Sequence, residues 1–160
     1  MSSDSVEWYT PPEIILECGQ MIFGDTEGFD LDVCATLESA VAARYFTKET
    51  DAFAQPQWDG ARVWMNPPYG RGIDEWVDRL VREYLCGNAE TITALVPART
   101  DTKWFQENLC GFKSAIFKKG RIEFWGTDVE EGAPFPSVIL TSEIVDSARV
   151  PSNWGFCVRL

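Results

Sequence analysis

The chain has 160 residues, 45% of them apolar, with 25 acidic and 14 basic side chains, a net charge of −11 and no histidine. That length and apolar content bound it to about one domain with a single core. The missing imidazole excludes Ser-His-Asp triads, Cys-His dyads and His-ligated zinc, and the acidic sign argues against an ordinary nucleic-acid-binding surface, which needs Lys and Arg for phosphates. The cysteines, Cys18, Cys34, Cys86, Cys110 and Cys157, are odd in number and scattered. They imply neither a disulfide framework nor a zinc site, and buried thiols are the expectation. No apolar run approaches the roughly 18 residues of a membrane span, and Met1 to Asp4 lacks a signal-type basic start, so the cytoplasm is the expected compartment.

Charge is unevenly spread. Residues 1–60 carry twelve acids against Arg44 and Lys48, whereas Arg99, Lys103, Lys113, Lys118, Lys119 and Arg121 face only Asp101 and Glu107 within residues 99–121. One end of the molecule is therefore suited to an anion.

In chain order, Thr10-Pro11-Pro12-Glu13 reads as a helix start, with Thr10 as N-cap, Pro11 at the first helical position and Glu13 completing a capping box. Ile14 to Phe23 supply an apolar face and Gly24 a stop. Trp8 and Tyr9 sit just before the cap, either as a hydrophobic staple or beside a helix N-terminus that favours a carboxylate. Phe29 to Cys34 alternates like a strand, followed by a short helix over 39–43 and a weaker strand over 44–46. Residues 47–60 read as loop, holding Glu49, Asp51 and Trp58. Arg62 to Met65 forms a strand that stops on Asn66-Pro67-Pro68-Tyr69. Ile73, Trp76, Val77, Leu80, Val81, Tyr84 and Leu85 give the strongest helical periodicity in the chain, with Asp74 and Glu75 in the first turn and Gly87 after the end. Strands are expected over 91–96, 114–117, 121–125 and 137–141, and a short helix over 101–109. The tail from Ser147 carries no clear signal.

Strand-helix alternation implies parallel strands with crossover helices, and ligands in such sheets bind beyond the carboxyl ends of the strands. Asp32 to Thr36, Asn66 to Tyr69 and Pro97 to Asp101 should therefore share one rim.

The Asn66 segment has chemistry suited to an exocyclic amine, whose lone pair is delocalised into its ring. An Asn side-chain carbonyl and a backbone carbonyl fixed by prolines can accept its two N–H groups, and a Tyr face can stack the planar group. Acceptors aimed at developing positive charge need no histidine base. A plain turn is the alternative for these four residues, and surface charge the alternative for Asp32, Asp51 and Glu49. No glycine-rich phosphate cradle is present, which fits a cofactor without phosphate.

Asn66-Pro67-Pro68-Tyr69 resembles the catalytic motif of amino-directed S-adenosylmethionine-dependent methyltransferases. Together with Trp8-Tyr9-Thr10-Pro11, Leu31 to Thr36, Asp51 with Trp58, Pro97 to Phe105, Gly120 to Phe124 and Pro134 to Ser137, it resembles the phage-type, Dam-like DNA N6-adenine methyltransferases, over most of the chain. The resemblance implies a Rossmann-like α/β methyltransferase fold with a mostly parallel sheet and helices on both faces, in a single domain over 1–160 with no separate target-recognition domain. It implies S-adenosylmethionine at Tyr9, Thr10, Pro11, Asp32, Cys34, Ala35, Asp51 and Asn66, with Asn66, Pro67, Pro68 and Tyr69 catalytic. Arg99, Asp101, Thr102, Lys103, Lys118, Lys119 and Arg121 would meet DNA whose target adenine is flipped out. No metal or membrane partner is implied; a monomer or weak homodimer in the host cytoplasm is. Ser39 stands where the family has Asn, and Gln106 where it has His. Methylation of cytosine N4, an RNA base or a protein glutamine, or an inert binding module of the same fold, are the alternatives.

Overall fold

A computed structural model describes residues 8–126 and 132–160. The helices are α1 (Pro12–Ile22), α2 (Ile73–Leu85) and α3 (Lys103–Asn108), and the strands β1 (Leu31–Asp32), β2 (Arg44–Tyr45), β3 (Gly60–Met65), β4 (Ala89–Pro97), β5 (Ser114–Lys118), β6 (Ser137–Thr141) and β7 (Trp154–Arg159). The strands form one sheet in the order β2-β1-β3-β4-β6-β5-β7.

Successive side chains on a strand point to opposite faces, and the core divides accordingly. Val63, Met65, Ile92, Ala94, Val96, Val138 and Leu140 pack with Val77, Leu80 and Val81 of α2 and Phe105 of α3. Trp64, Leu95, Ile116 and Ile139 pack with Ile14, Ile15, Cys18, Met21 and Ile22 of α1. Helices therefore cover both faces. The α2 stripe lies where periodicity puts it, with Asp74 and Glu75 in the first turn, where the helix dipole favours acids.

The expectation of a mostly parallel sheet is not met. β1 pairs parallel with β2 and β3, and β3 with β4, but the β4-β6, β6-β5 and β5-β7 pairings are antiparallel. A parallel neighbour requires a crossover, usually helical. Among the described residues no α-helix lies between β5 and β7, so β6 and β7 run against β5.

Local corrections have local causes. The strand around Asp32 keeps only two ladder residues, because the Asp30 carboxylate takes the N–H groups of Ala61 and Arg62. No helix forms over 39–43: the Val41 N–H donates to Asp32, and Thr36 and Ser39 bond each other in a turn. Residues 121–125 contribute one isolated bridge, Tyr9 to Trp125, rather than a strand. The tail supplies β7, which the sequence did not signal. Only Cys18 is buried, with its thiol pushed up by desolvation; Cys34 and Cys157 are half-buried, Cys86 and Cys110 exposed, and all five are free. The signal-peptide reading of Met1 to Asp4 falls outside the described residues. No described helix is long and apolar enough to cross a membrane.

After α3 the chain makes a 3-10 turn, Leu109–Gly111, against α2. A Cβ on Gly111 would lie 2.5 Å from Val81 Cγ1, an overlap that must move α2 or the turn. Gly111→Ala is expected to cost about 1–3 kcal/mol, read as a lowered midpoint in thermal unfolding.

Candidate active site

The chain passes from β1 to β2 on one side and then returns to place β3 on the other side of β1. At such a switch point the connections diverge and leave a crevice beyond the strand ends. A cavity of about 260 Å³ lies there. It is lined by the extension of β1 (Asp32 to Thr36), the extension of β3 (Asn66 to Pro68), the segment Trp8 to Thr10, and parts of residues 39–52. The first two of the three segments expected on this rim therefore line the cavity. Pro97 to Asp101 follows β4, which is parallel to β3, but does not line the cavity.

Asn66 is the most constrained polar group in the cavity. Its Nδ2 donates to the Trp8 carbonyl at 2.6 Å and to Thr10 Oγ1 at 2.9 Å. The carbonyl can only accept, so the amide orientation is fixed by its neighbours. Its Oδ1 is buried without a hydrogen-bond partner. An orphaned acceptor of this kind costs about 1–3 kcal/mol, and a ligand N–H would satisfy it. Thr10 does not cap α1, because Pro11 rather than Thr10 occupies the N-cap, and α1 has no side-chain cap bond.

Asp32 is 2% exposed. One oxygen accepts from Cys34 N–H at 3.1 Å and the other from Val41 N–H at 3.2 Å. Burial pushes its pKa up to about 6, with the two backbone bonds pulling the other way. Each oxygen keeps a lone pair for a further donor. Asp51 lies exposed at the cavity edge with φ of 47°, and its side chain accepts from Phe53 N–H at 3.0 Å. A positive φ is uncommon outside glycine but tolerated best by Asp and Asn.

Of the expected site residues, Tyr9, Thr10, Asp32, Cys34, Ala35, Asp51, Asn66, Pro67 and Pro68 line the cavity, whereas Pro11 and Tyr69 do not. The Tyr69 hydroxyl donates to the Leu95 carbonyl at 3.4 Å, and its ring meets Phe135 and Phe124 edge-on at 5.0 and 6.1 Å. Desolvation raises its phenol. The expected DNA-side residues lie outside the cavity: Arg99, Asp101, Thr102, Lys119 and Arg121 on the loops after β4 and β5, Lys103 at the start of α3 and Lys118 at the end of β5. Lys103 pairs with Glu107 at 3.7 Å, and Lys118 donates to the Asn153 carbonyl at 2.7 Å. The Thr102 hydroxyl donates to the Arg99 carbonyl at 2.7 Å. Arg99, Asp101, Lys119 and Arg121 are exposed.

The model of the family described as DNA N-6-adenine-methyltransferase (Dam) matches residues 2–144. The chain belongs to this family. A DNA N-6-adenine-methyltransferase of Escherichia phage T1 is 32% identical over 100 residues, 62% of this chain and 39% of that one. Another, of Haemophilus phage HP1, is 29% identical over 104 residues, 64% of this chain and 58% of that one. The matched region thus spans less than two thirds of either relative.

For this member of the family, the cavity also recruits Val41, Phe46, Trp64 and Trp76, none of which the sequence singled out as site residues. Trp64 and Trp76 sit at positions that strand alternation and helical periodicity assign to the core, so only the sheet order could reveal their second surface. Ser39 also lines the cavity, while Gln106 is exposed and its Nε2 donates to the Thr100 carbonyl.

The raised pKa of Asp32 has a signed consequence. Its contribution to folding is greatest below the usual value of 3.8 and is lost as pH rises through about 6. A bound cation would favour the ionised form, so a cationic ligand should bind more tightly above pH 6 than below it. A carboxyl-carbon NMR titration is expected to place Asp32 near 6, and Asp32→Asn to flatten the pH profile of ligand affinity.

Proposed function

We propose that the chain transfers a methyl group from S-adenosylmethionine to N6 of adenine in DNA, on a Rossmann-like methyltransferase fold forming one domain over 1–160. The observation that carries the reading is the buried, unpartnered Oδ1 of Asn66 beside a cavity at the β1/β3 switch point. The donor set fits the cofactor: Asp32 offers a buried carboxylate to an ammonium or hydroxyl, Asp51 an exposed one at the edge, and Trp8, Tyr9, Phe46 and Trp76 flat apolar walls. Thr10, Cys34 and Ala35 complete its enclosure and Pro11 sets the entry into α1. When bound, S-adenosylmethionine supplies an electrophilic methyl group.

The protein's part is electrostatic. Asn66 Oδ1 accepts one N–H of the target amine and the Pro67 carbonyl, held by Pro68, the other, which withdraws the nitrogen lone pair from the ring and stabilises the positive charge that grows on nitrogen. The surplus proton passes to water. Tyr69, buttressed by Phe124 and Phe135, offers a ring to the flipped base, whose extraction costs a few kcal/mol. Arg99, Asp101, Thr102, Lys119 and Arg121 stand on the rim loops where DNA would approach, with Lys103 and Lys118 engaged by neighbouring groups. The compartment for such a phage-type enzyme is the host cytoplasm, as a monomer or weak homodimer.

Asn66→Ala is expected to lower methyl transfer by about 100- to 1,000-fold while cofactor affinity, by calorimetry, stays within a few-fold. Mass spectrometry of nucleosides from DNA incubated with labelled cofactor should show N6-methyladenine; label in cytosine, RNA or protein alone would overturn the reading. DNA affinity should fall with salt along a shallow slope, on the order of a few phosphates.

A further inference from the structure

The segment Trp8 to Thr10 lines the cavity and also grips Asn66 from behind. Its own position is set by Trp125. Tyr9 N–H donates to the Trp125 carbonyl at 3.1 Å, Trp125 N–H donates to the Tyr9 carbonyl at 3.2 Å, and the indole Nε1 donates to the Thr10 carbonyl at 3.1 Å. The Tyr9 and Trp125 rings meet edge to face at 4.9 Å. Gly126, at φ +75°, leaves its backbone bare against Tyr9; a Cβ there would lie 2.3 Å from Tyr9 Cδ2. Thr10 is 5% exposed, and its hydroxyl serves Asn66 although it stands next to an uncapped helix start.

We propose that Thr10 and Trp125 are positioning residues that lock the Asn66 amide in the orientation that commits Nδ2 to the Trp8 to Thr10 segment and leaves Oδ1 as the open acceptor. The Trp8 carbonyl alone would leave the amide one tether, about which it can turn; its NH2 group would then face, and repel, the N–H groups of a target amine. Two acceptors on one segment hold both amide hydrogens and remove that alternative. The Trp125 clasp holds the segment, so the loop after β5 controls an acceptor on the loop after β3. The cavity wall at Tyr9 and Thr10 and the orientation of Asn66 thereby move as one unit. This inference rests on the proposed reading of Asn66 as the acceptor for the target amine.

The test uses Thr10→Val, Thr10→Ser and Trp125→Phe in the full chain. Thr10→Val keeps shape but removes the hydroxyl, Thr10→Ser keeps the hydroxyl, and Trp125→Phe keeps a ring but removes the indole N–H. Two readouts are taken. In NMR, the Asn66 side-chain amide protons should exchange with water faster in Thr10→Val and Trp125→Phe and return to the parent rate in Thr10→Ser. In DNA methyl transfer, kcat should fall about 10- to 100-fold in Thr10→Val, with KM for DNA little changed and recovery in Thr10→Ser. Unchanged amide exchange in both Thr10→Val and Trp125→Phe would overturn the proposal, as would failure of Thr10→Ser to restore it. Should the parent chain methylate no adenine, the functional reading falls, and amide exchange alone still decides whether the lock exists. Should Thr10→Val not fold, Trp125→Phe carries the same comparison.

Discussion

The structure depends on where the Asn66 amide sends its two hydrogens. One goes to a backbone carbonyl and one to a hydroxyl, both on the segment that enters α1. This contact joins residues far apart in the chain and determines two things together: the direction of an unsatisfied carbonyl oxygen and the position of two cavity-wall residues. A side-chain cap contributes about 0.5–2 kcal/mol to a helix. With Pro11 at its N-cap, α1 has no side-chain cap and relies on burial of Ile14, Ile15, Cys18, Met21 and Ile22 instead.

The two halves of the sheet divide the labour. The parallel half, β2-β1-β3-β4, points its carboxyl ends at one rim and creates the crevice by reversing direction around β1. The antiparallel half, β6-β5-β7, extends the core, and among the described residues α3 is the one α-helix that crosses over into it. The loops it generates supply Phe124 and Phe135, which back Tyr69 and Trp8, and Trp125, which backs Tyr9. The site is thus framed by parallel strands and closed by antiparallel ones.

Much of this was legible in the sequence wherever the signal is local. The α2 stripe was, because seven apolar residues at helical spacing leave few alternatives, and so was the rim position of Asn66, because a strand stopped by two prolines must turn at its carboxyl end. Misreadings arose where a side chain finds a distant partner. Thr10 looked like a cap because its partner lies 56 residues away. Residues 39–43 looked helical because nothing local shows that Asp32 will claim the Val41 N–H. Residues 121–125 alternate like a strand, yet their one bridge is to Tyr9. β7 went unnoticed because an edge strand with exposed Phe156 and Val158 lacks a buried face to betray it. Tyr69, assigned to the cavity by its motif, lies beside it among other rings.

The direction of β7 has a practical consequence. It starts at Trp154 beside Lys118, on the rim where the cavity opens, and runs to Arg159 beside Ser114, with the Leu160 N–H bonded to the Lys113 carbonyl. Leu160 is therefore delivered to the opposite pole of the sheet from Asn66. A surface anchor, fluorophore or fused protein attached there would hang away from the crevice, leaving the rim facing solvent.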